Sequence, residues 1–459
     1  MAYVAAIDAG TTSIRVGLFS AEGERIGVEG YHLPANHPFE GAVEQDPHEM
    51  VDAARDLLVA VCHEAGVELD EVDALGITNQ RGSVVAWDAE TGAALHPIIG
   101  WQDTRTNGRV AELRSGGIPA TTSAGCTKIE WLNNHDEACM AAAERGTLRY
   151  GTVDSWLMWR LSGGRVHATD PSNAGSTGFY ANGTGAWSDL ALDLFGAQRS
   201  TLGDIVSTDD IVGVTDALVV GSEIPLSARC GDQMASCLAH GLVEGQAKLT
   251  LGTSAMVDVA LGASPGVAPR GAYVLPLYRS MRSGLGRQIE ADQAGAHEEY
   301  VVEGSVHAAG SAVEWLVRLG LLDTVEHLDE VAALGRDGVD FLPALAGLGT
   351  PRQDPDVRAV FSGLSLSTTA ADMVRGVLAG IAARVGEVCE VLGVEGELFV
   401  DGGLSQSDVL LQMIADVTDL RLLRSIDHET TLTGVARAAS RVRGASWSPS
   451  YTQVRSERG

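Results

Sequence analysis

Lysine is all but absent from this 459-residue sequence: Lys128 and Lys248 stand beside 30 arginines. Acidic residues outnumber basic ones by 61 to 32, and the formal net charge is −29. Such a surface repels phosphate backbones and anionic headgroups, which argues against nucleic acid or a membrane as partner. Cysteines are few, at positions 62, 126, 139, 230, 237 and 389, with no CxxC or metal-like spacing. Neither a disulfide framework nor a zinc site is expected, and the thiols should be reduced. No basic, apolar leader opens the chain, and no apolar run approaches the roughly 18 residues of a membrane span. A soluble, cytoplasmic protein is expected. The P-loop pattern GxxxxGK[ST] is missing as well, and the glycine-rich turns run into strand patterns rather than helices. A P-loop and a dinucleotide fold are thereby set aside.

What is present begins at residues 3–19, YVAAIDAGTTSIRVGLF. Two short apolar runs flank Asp8-Ala9-Gly10-Thr11-Thr12-Ser13, which predicts a hairpin with glycine and hydroxyls at its tip. Glycine would let backbone N–H groups approach a phosphate, the hydroxyls would donate to it, and Asp8 could hold Mg²⁺. Arg15 adds a cation beside the turn. Alone, these residues suit an ordinary hairpin equally well. A second stretch, residues 247–260, AKLTLGTSAMVDVA, repeats the design around Gly252-Thr253-Ser254. Two such hairpins about half the chain apart suggest two related domains closing on one nucleotide. With 45% hydrophobic residues, the chain is long enough for two substantial cores. The boundary is expected near 242, giving domains 1–242 and 243–459.

Between the hairpins, Asp46 is expected to cap a helix starting at Pro47, with Glu49 completing a capping box. Residues 74–77 read as a strand ending in Thr78-Asn79-Gln80-Arg81, with Val84–Trp87 as its partner. Trp101 suits either a core or an apolar wall against a polyol. Cys230-Gly231-Asp232-Gln233 sets an acid at a helix N-terminus, where it reads as a cap or as a general base. In the second half, Gly310 opens a helix and residues 368–392 form a long one closed by Gly393. Residues 398–400 run as a strand into Asp401-Gly402-Gly403, and the tail after Arg443 is expected to be loose.

The order of these motifs resembles the FGGY carbohydrate kinases, most closely their glycerol kinase branch. The matching stretches are IDAGTTSIR at 7–15, GAVEQDP at 41–47, GITNQR at 76–81, GTVDSWLMWRL at 151–161, GDQ at 231–233 and LGTS at 251–254. GSAVEWL at 310–316, DGG at 401–403 and ETTLTGVARAA at 429–439 extend the likeness to nearly the full length. The resemblance implies an α/β fold of two actin-like, ribonuclease-H-like domains around a central cleft. It implies ATP and Mg²⁺ as cofactors, with Asp8 at the metal and Thr11, Thr12, Ser13 and Arg15 at the phosphates. Thr253, Gly310, Glu314, Gly403 and Ser407 fall at nucleotide positions. Arg81, Trp101, Asp232 and Gln233 fall at acceptor positions, with Asp232 as general base. Gly82 stands where that branch has a glutamate, Ser123 where it has a tyrosine and Met256 where it has a phenylalanine. The acceptor pocket is therefore expected to be wider, suiting glycerol or a larger polyol. A pentulose kinase, and an actin-like ATPase without a sugar acceptor, remain as alternatives. Beyond a small polyol or sugar, a homo-oligomeric assembly stays open.

Overall fold

The two hairpins seed two sheets of the same construction in this computed structural model, which describes residues 3–280, 297–440, 447 and 449–457. In the first, β1 (Tyr3–Ala9), β2 (Ser13–Ser20) and β3 (Arg25–His32) form an antiparallel meander. On the other side of β1, β4 (Val72–Asn79) and β5 (Leu226–Gly231) add in parallel, giving the order β5-β4-β1-β2-β3. In the second, β6 (Ala247–Leu251) and β7 (Ala255–Gly262) pair antiparallel around Gly252–Ser254, and β8 (His297–Val306) follows antiparallel to β7. There β9 (Glu397–Asp401) and β10 (Arg421–Ser425) add in parallel beyond β6, as β4 and β5 do beyond β1. The repeat of turn chemistry in the sequence is thus a repeat of architecture.

Helices cover both sheets. The helix Pro47–Ala65 buries Met50, Val51, Ala54, Leu58 and Val61 in the core that also holds Ile7, Ile14 and Val16. Asp46 caps it, accepting from the N–H groups of His48 and Glu49 at 2.8 and 3.2 Å, and Gly66 ends it at φ 67°. The expected capping box does not form. Glu49 instead accepts from the Tyr31 hydroxyl on β3 at 2.7 Å, a partner 18 residues away that outcompetes the local one. In the second sheet the helix Ala370–Leu392 buries Val374, Val377, Leu378, Ile381 and Val385, and it ends at Gly393, φ 68°.

Two local expectations are corrected. The segment Val85–Asp88 pairs with Leu148–Gly151, not with residues 74–77. Those lie in β4, whose two edges are already taken by β1 and β5. The tail is not uniformly loose either: Tyr451–Val454 forms a strand antiparallel to β10, while residues 441–446, 448 and 458–459 lie outside the described residues.

By packing, the chain divides into two units, each discontinuous. One is Met1–Ala239 with Pro276–Glu298 and Thr431–Trp447; the other is His240–Leu275 with Glu299–Thr430 and Ser448–Gly459. The first break falls three residues before 242, and a late helix, Thr430–Ala439, returns to the first unit from residue 431 on. Glycine allows the return: a Cβ at Gly76 would lie 2.8 Å from the Val435 carbonyl, and one at Gly434 would strike that of Ala235. All six cysteines are buried thiols. No helix of the described residues is long and apolar enough to cross a membrane.

Candidate active site

Parallel strands bring their C-terminal ends to one edge of a sheet, where ligands of α/β proteins bind. In the first unit Ala9 lies beside Asn79, and Asn79 beside Gly231. The first glycine turn, Gln80-Arg81 and Asp232 therefore leave the sheet together. The turn closes by a hydrogen bond from the Gly10 N–H to the Ser13 carbonyl at 3.0 Å. Asp8 lies directly across the hairpin from Arg15, which is exposed. The Trp101 indole N–H donates to Thr11 Oγ1 at 3.0 Å, so Trp101 is half-buried against the turn rather than lost in the core. Gln45 donates to the Thr11 carbonyl at 2.9 Å and accepts from Gln80 Nε2 at 2.6 Å, which ties the turn to the end of β4. Thr12 is exposed at the tip.

Asp232 is the first residue of the helix Asp232–His240. Its Oδ1 accepts from the Gln233 N–H at 2.8 Å and lies 3.5 Å from Arg81 Nε. The Asp232 side chain is 29% exposed and that of Arg81 10%. Gly231 makes this approach possible: a Cβ there would stand 2.4 Å from Arg81 Cγ and 2.5 Å from Cδ. A buried framework holds these strand ends. The Gly231 N–H donates to Ser172 Oγ at 2.9 Å, Ser172 donates to Asp170, and the amides of Asn173 and Asn79 exchange hydrogen bonds at 3.0 and 3.1 Å.

At Gly82 the structure gives a local reason for the missing side chain. Gly82 adopts φ 73°, and a Cβ would lie 2.1 Å from the Ser123 carbonyl oxygen. At this backbone a side chain on residue 82 would meet the Ser123 carbonyl, so glycine is what the local conformation requires. The small side chain of Ser123 remains beside it, its Oγ 2.9 Å from Thr121 Oγ1.

In the second unit the start of the helix Gly310–Arg318 clamps the second turn. The N–H groups of Ala309 and Ser311 donate to the Thr253 carbonyl at 3.1 Å, and that of Gly310 to the Gly252 carbonyl at 2.9 Å. Gly402, at φ 89°, packs on the Leu251 carbonyl, and the space around Gly403 is open. Thr253, Gly310 and Gly403 are thereby brought together. Glu314 is exposed on the same helix. Ser407 is buried and used as a cap: it donates to Asp329 and accepts from the Leu410 N–H at 3.1 Å. Met256 lies half-buried in β7.

Sequence reasoning missed Thr431, whose hydroxyl donates to Asp8 Oδ2 at 2.6 Å across 423 residues of chain. The only signal was the small, hydroxyl-rich start of ETTLTGVARAA. Among the described residues no three His, Cys, Asp or Glu cluster as for a protein-caged metal. A single carboxylate beside a phosphate-type turn fits Mg²⁺, which keeps several waters and leans on substrate phosphates.

Two sheets with glycine turns at matching places, and an acid–arginine pair at one sheet edge, define a two-domain α/β phosphotransferase of actin-like fold. Family models agree: the FGGY carbohydrate kinase N-terminal domain matches residues 3–239 and its C-terminal domain residues 247–442. The glycerol kinase of Thermus brockianus is 36% identical over 456 residues, covering 95% of this chain and 89% of that protein. That of Citrifermentans bemidjiense is 35% identical over 455 residues, with the same coverage. Among solved structures, the Plasmodium falciparum glycerol kinase with ADP superposes with a TM-score of 0.87 at 26% identity, covering 100% of this chain and 94% of that one. A xylulose kinase from Lactobacillus acidophilus gives 0.85 at 18% identity and the same coverage, a likeness of fold. The chain belongs to the FGGY family of carbohydrate kinases.

Proposed function

We propose that this protein transfers the γ-phosphate of ATP to a hydroxyl of a small polyol, glycerol or a close homologue. The observation that carries this is Asp232 at the head of its helix, partly exposed, with Arg81 beside it. Phosphoryl transfer to an alcohol needs positioning, charge neutralisation and an acceptor for the hydroxyl proton. Arg81, Gln233 and the Trp101 face would orient the polyol, and the Asp232 carboxylate would take the proton. The Thr11–Ser13 turn, with Arg15, offers N–H groups, hydroxyls and a cation to the transferring phosphoryl group. Thr253, Gly310 and Gly403 would cradle the nucleotide, with Glu314 at its margin; the capping of Ser407 weighs against a direct contact there. Mg²⁺, held near Asp8, would neutralise charge on the triphosphate.

The relatives named glycerol kinase support glycerol as acceptor. Within the first unit, the small side chain of Ser123 beside Gly82 is where extra acceptor length would be accommodated. The test is a coupled ADP-release assay over glycerol, erythritol, xylitol, xylulose and ribulose. Glycerol should lead in kcat/KM. A pentulose in first place would transfer the assignment to the ketose branch, and acceptor-independent ATP hydrolysis alone would end the polyol kinase assignment.

A further inference from the structure

The two lysines of this chain are both wholly buried, so every solvent-facing cation among the Lys and Arg residues is an arginine. An ammonium is a compact donor and a guanidinium a planar fork, so the two are not interchangeable where several acceptors converge on one point. At Lys128 the reason is visible. Its Nζ donates to the carbonyls of Thr122 at 2.7 Å, Gly82 at 3.1 Å and Ser123 at 3.3 Å, a compact donor facing three converging oxygens. The other end of the Gly82 residue is held too: its N–H donates to Ser176 Oγ at 3.0 Å. The Ser176 hydroxyl proton is committed to the Asn173 carbonyl at 2.7 Å, which fixes the oxygen as an acceptor toward Gly82.

We propose that Lys128 and Ser176 are positioning residues of the acceptor site, gripping the Gly82 backbone from both ends so that Arg81 is held against Gly231 and Asp232. The inference rests on the polyol kinase reading above. A packing role alone does not account for Lys128. An apolar side chain of similar length would fill the volume without burying a charge. Burial pushes the ammonium down to about 7, with the Asp103 carboxylate acting in the opposite direction. Neither residue is expected to touch the acceptor, and Gly82 itself cannot take over their task. Its left-handed φ and the Ser123 carbonyl exclude any side chain.

The test compares Ser176→Ala, Ser176→Thr, Lys128→Arg and Lys128→Met in steady-state kinetics with ATP and the best polyol of the panel, beside the melting temperature of each. Ser176→Ala should raise the acceptor KM about tenfold while the ATP KM stays within about twofold. Ser176→Thr, which keeps the hydroxyl, should restore it. Lys128→Arg should lose acceptor kcat/KM as severely as Lys128→Met, because geometry rather than charge is at stake. Should the Lys128 variants fail to fold, the Ser176 pair decides. Unchanged acceptor kinetics in Ser176→Ala, or a loss shared equally by acceptor and ATP and tracking the melting temperature, overturns the proposal while the kinase reading stands. A wild-type protein that phosphorylates no polyol overturns both.

Discussion

Gly231→Ala places one methyl group where Arg81 now lies. The added Cβ would stand 2.4 Å from Arg81 Cγ, whereas ordinary contact begins at 3.4 Å, so the arginine must retreat by about 1 Å. The backbone itself accepts alanine, because Gly231 is not among the left-handed glycines, and its N–H bond to Ser172 does not involve the side chain. Arg81 Nε, already 3.5 Å from Asp232 Oδ1, would move out of ion-pair range. A displacement of about 1 Å in a positioning group lowers turnover about 10²-fold, or about 2.7 kcal/mol in the barrier. Coupled ADP-release kinetics should show this loss in acceptor kcat/KM, with the ATP KM and melting temperature little changed. The path of the effect is checked in an Arg81→Ala background, where Gly231→Ala should add nothing. A full additional loss in that background, or no loss in the single variant, would refute the reasoning.

Asp232→Asn keeps shape but cannot take a proton, and kcat should fall by about 10²–10⁴ with nucleotide binding, read by calorimetry, unaltered. Trp101→Phe keeps an aromatic wall but loses the bond to Thr11; at about 0.5–1.5 kcal/mol for one hydrogen bond, acceptor kcat/KM should drop about 2- to 10-fold. Chelating Mg²⁺ with EDTA should abolish turnover reversibly, and Asp8→Asn should raise the Mg²⁺ concentration needed for half-maximal rate. Asp154 carries a pH signature: burial raises its carboxyl from 3.8 to about 6, against hydrogen bonds from Thr152 and Thr169. Below pH 3.8 both folded and unfolded forms are protonated. Between 3.8 and about 6 the unfolded chain ionises first, so stability is lost as pH rises. Relative to Asp154→Asn, the wild type should lose up to about 3 kcal/mol across that window, at about 1.36 per unit. Urea unfolding at a series of pH values measures the difference, and a pH-independent difference removes the claim.

Local chemistry made much of this protein legible in the sequence. The glycine turns at 10–13 and 252–254, the helix cap at Asp46 and the helix stop at Gly393 each depend on residues within a few positions of one another. So does Asp232 at a helix start. A left-handed φ, a cap or a tight turn is decided by side chains that are neighbours in the chain. The FGGY motifs inherit the same property, and the order in which they occur carries the family.

What remained hidden depends on partners far apart in the chain. Val85–Asp88 finds Leu148–Gly151 because β4 has no open edge, and Glu49 leaves its own helix for Tyr31. Thr431 reaches Asp8 only because Gly76 and Gly434 let a late helix settle on the first sheet. Gly82 is the sharpest instance. In the sequence it is a missing carboxylate; in the folded protein its left-handed backbone sits against the Ser123 carbonyl, which Lys128 holds, and leaves no place for a Cβ. A residue letter states what a side chain is, while the space around it is set by backbone that only long-range burial brings there.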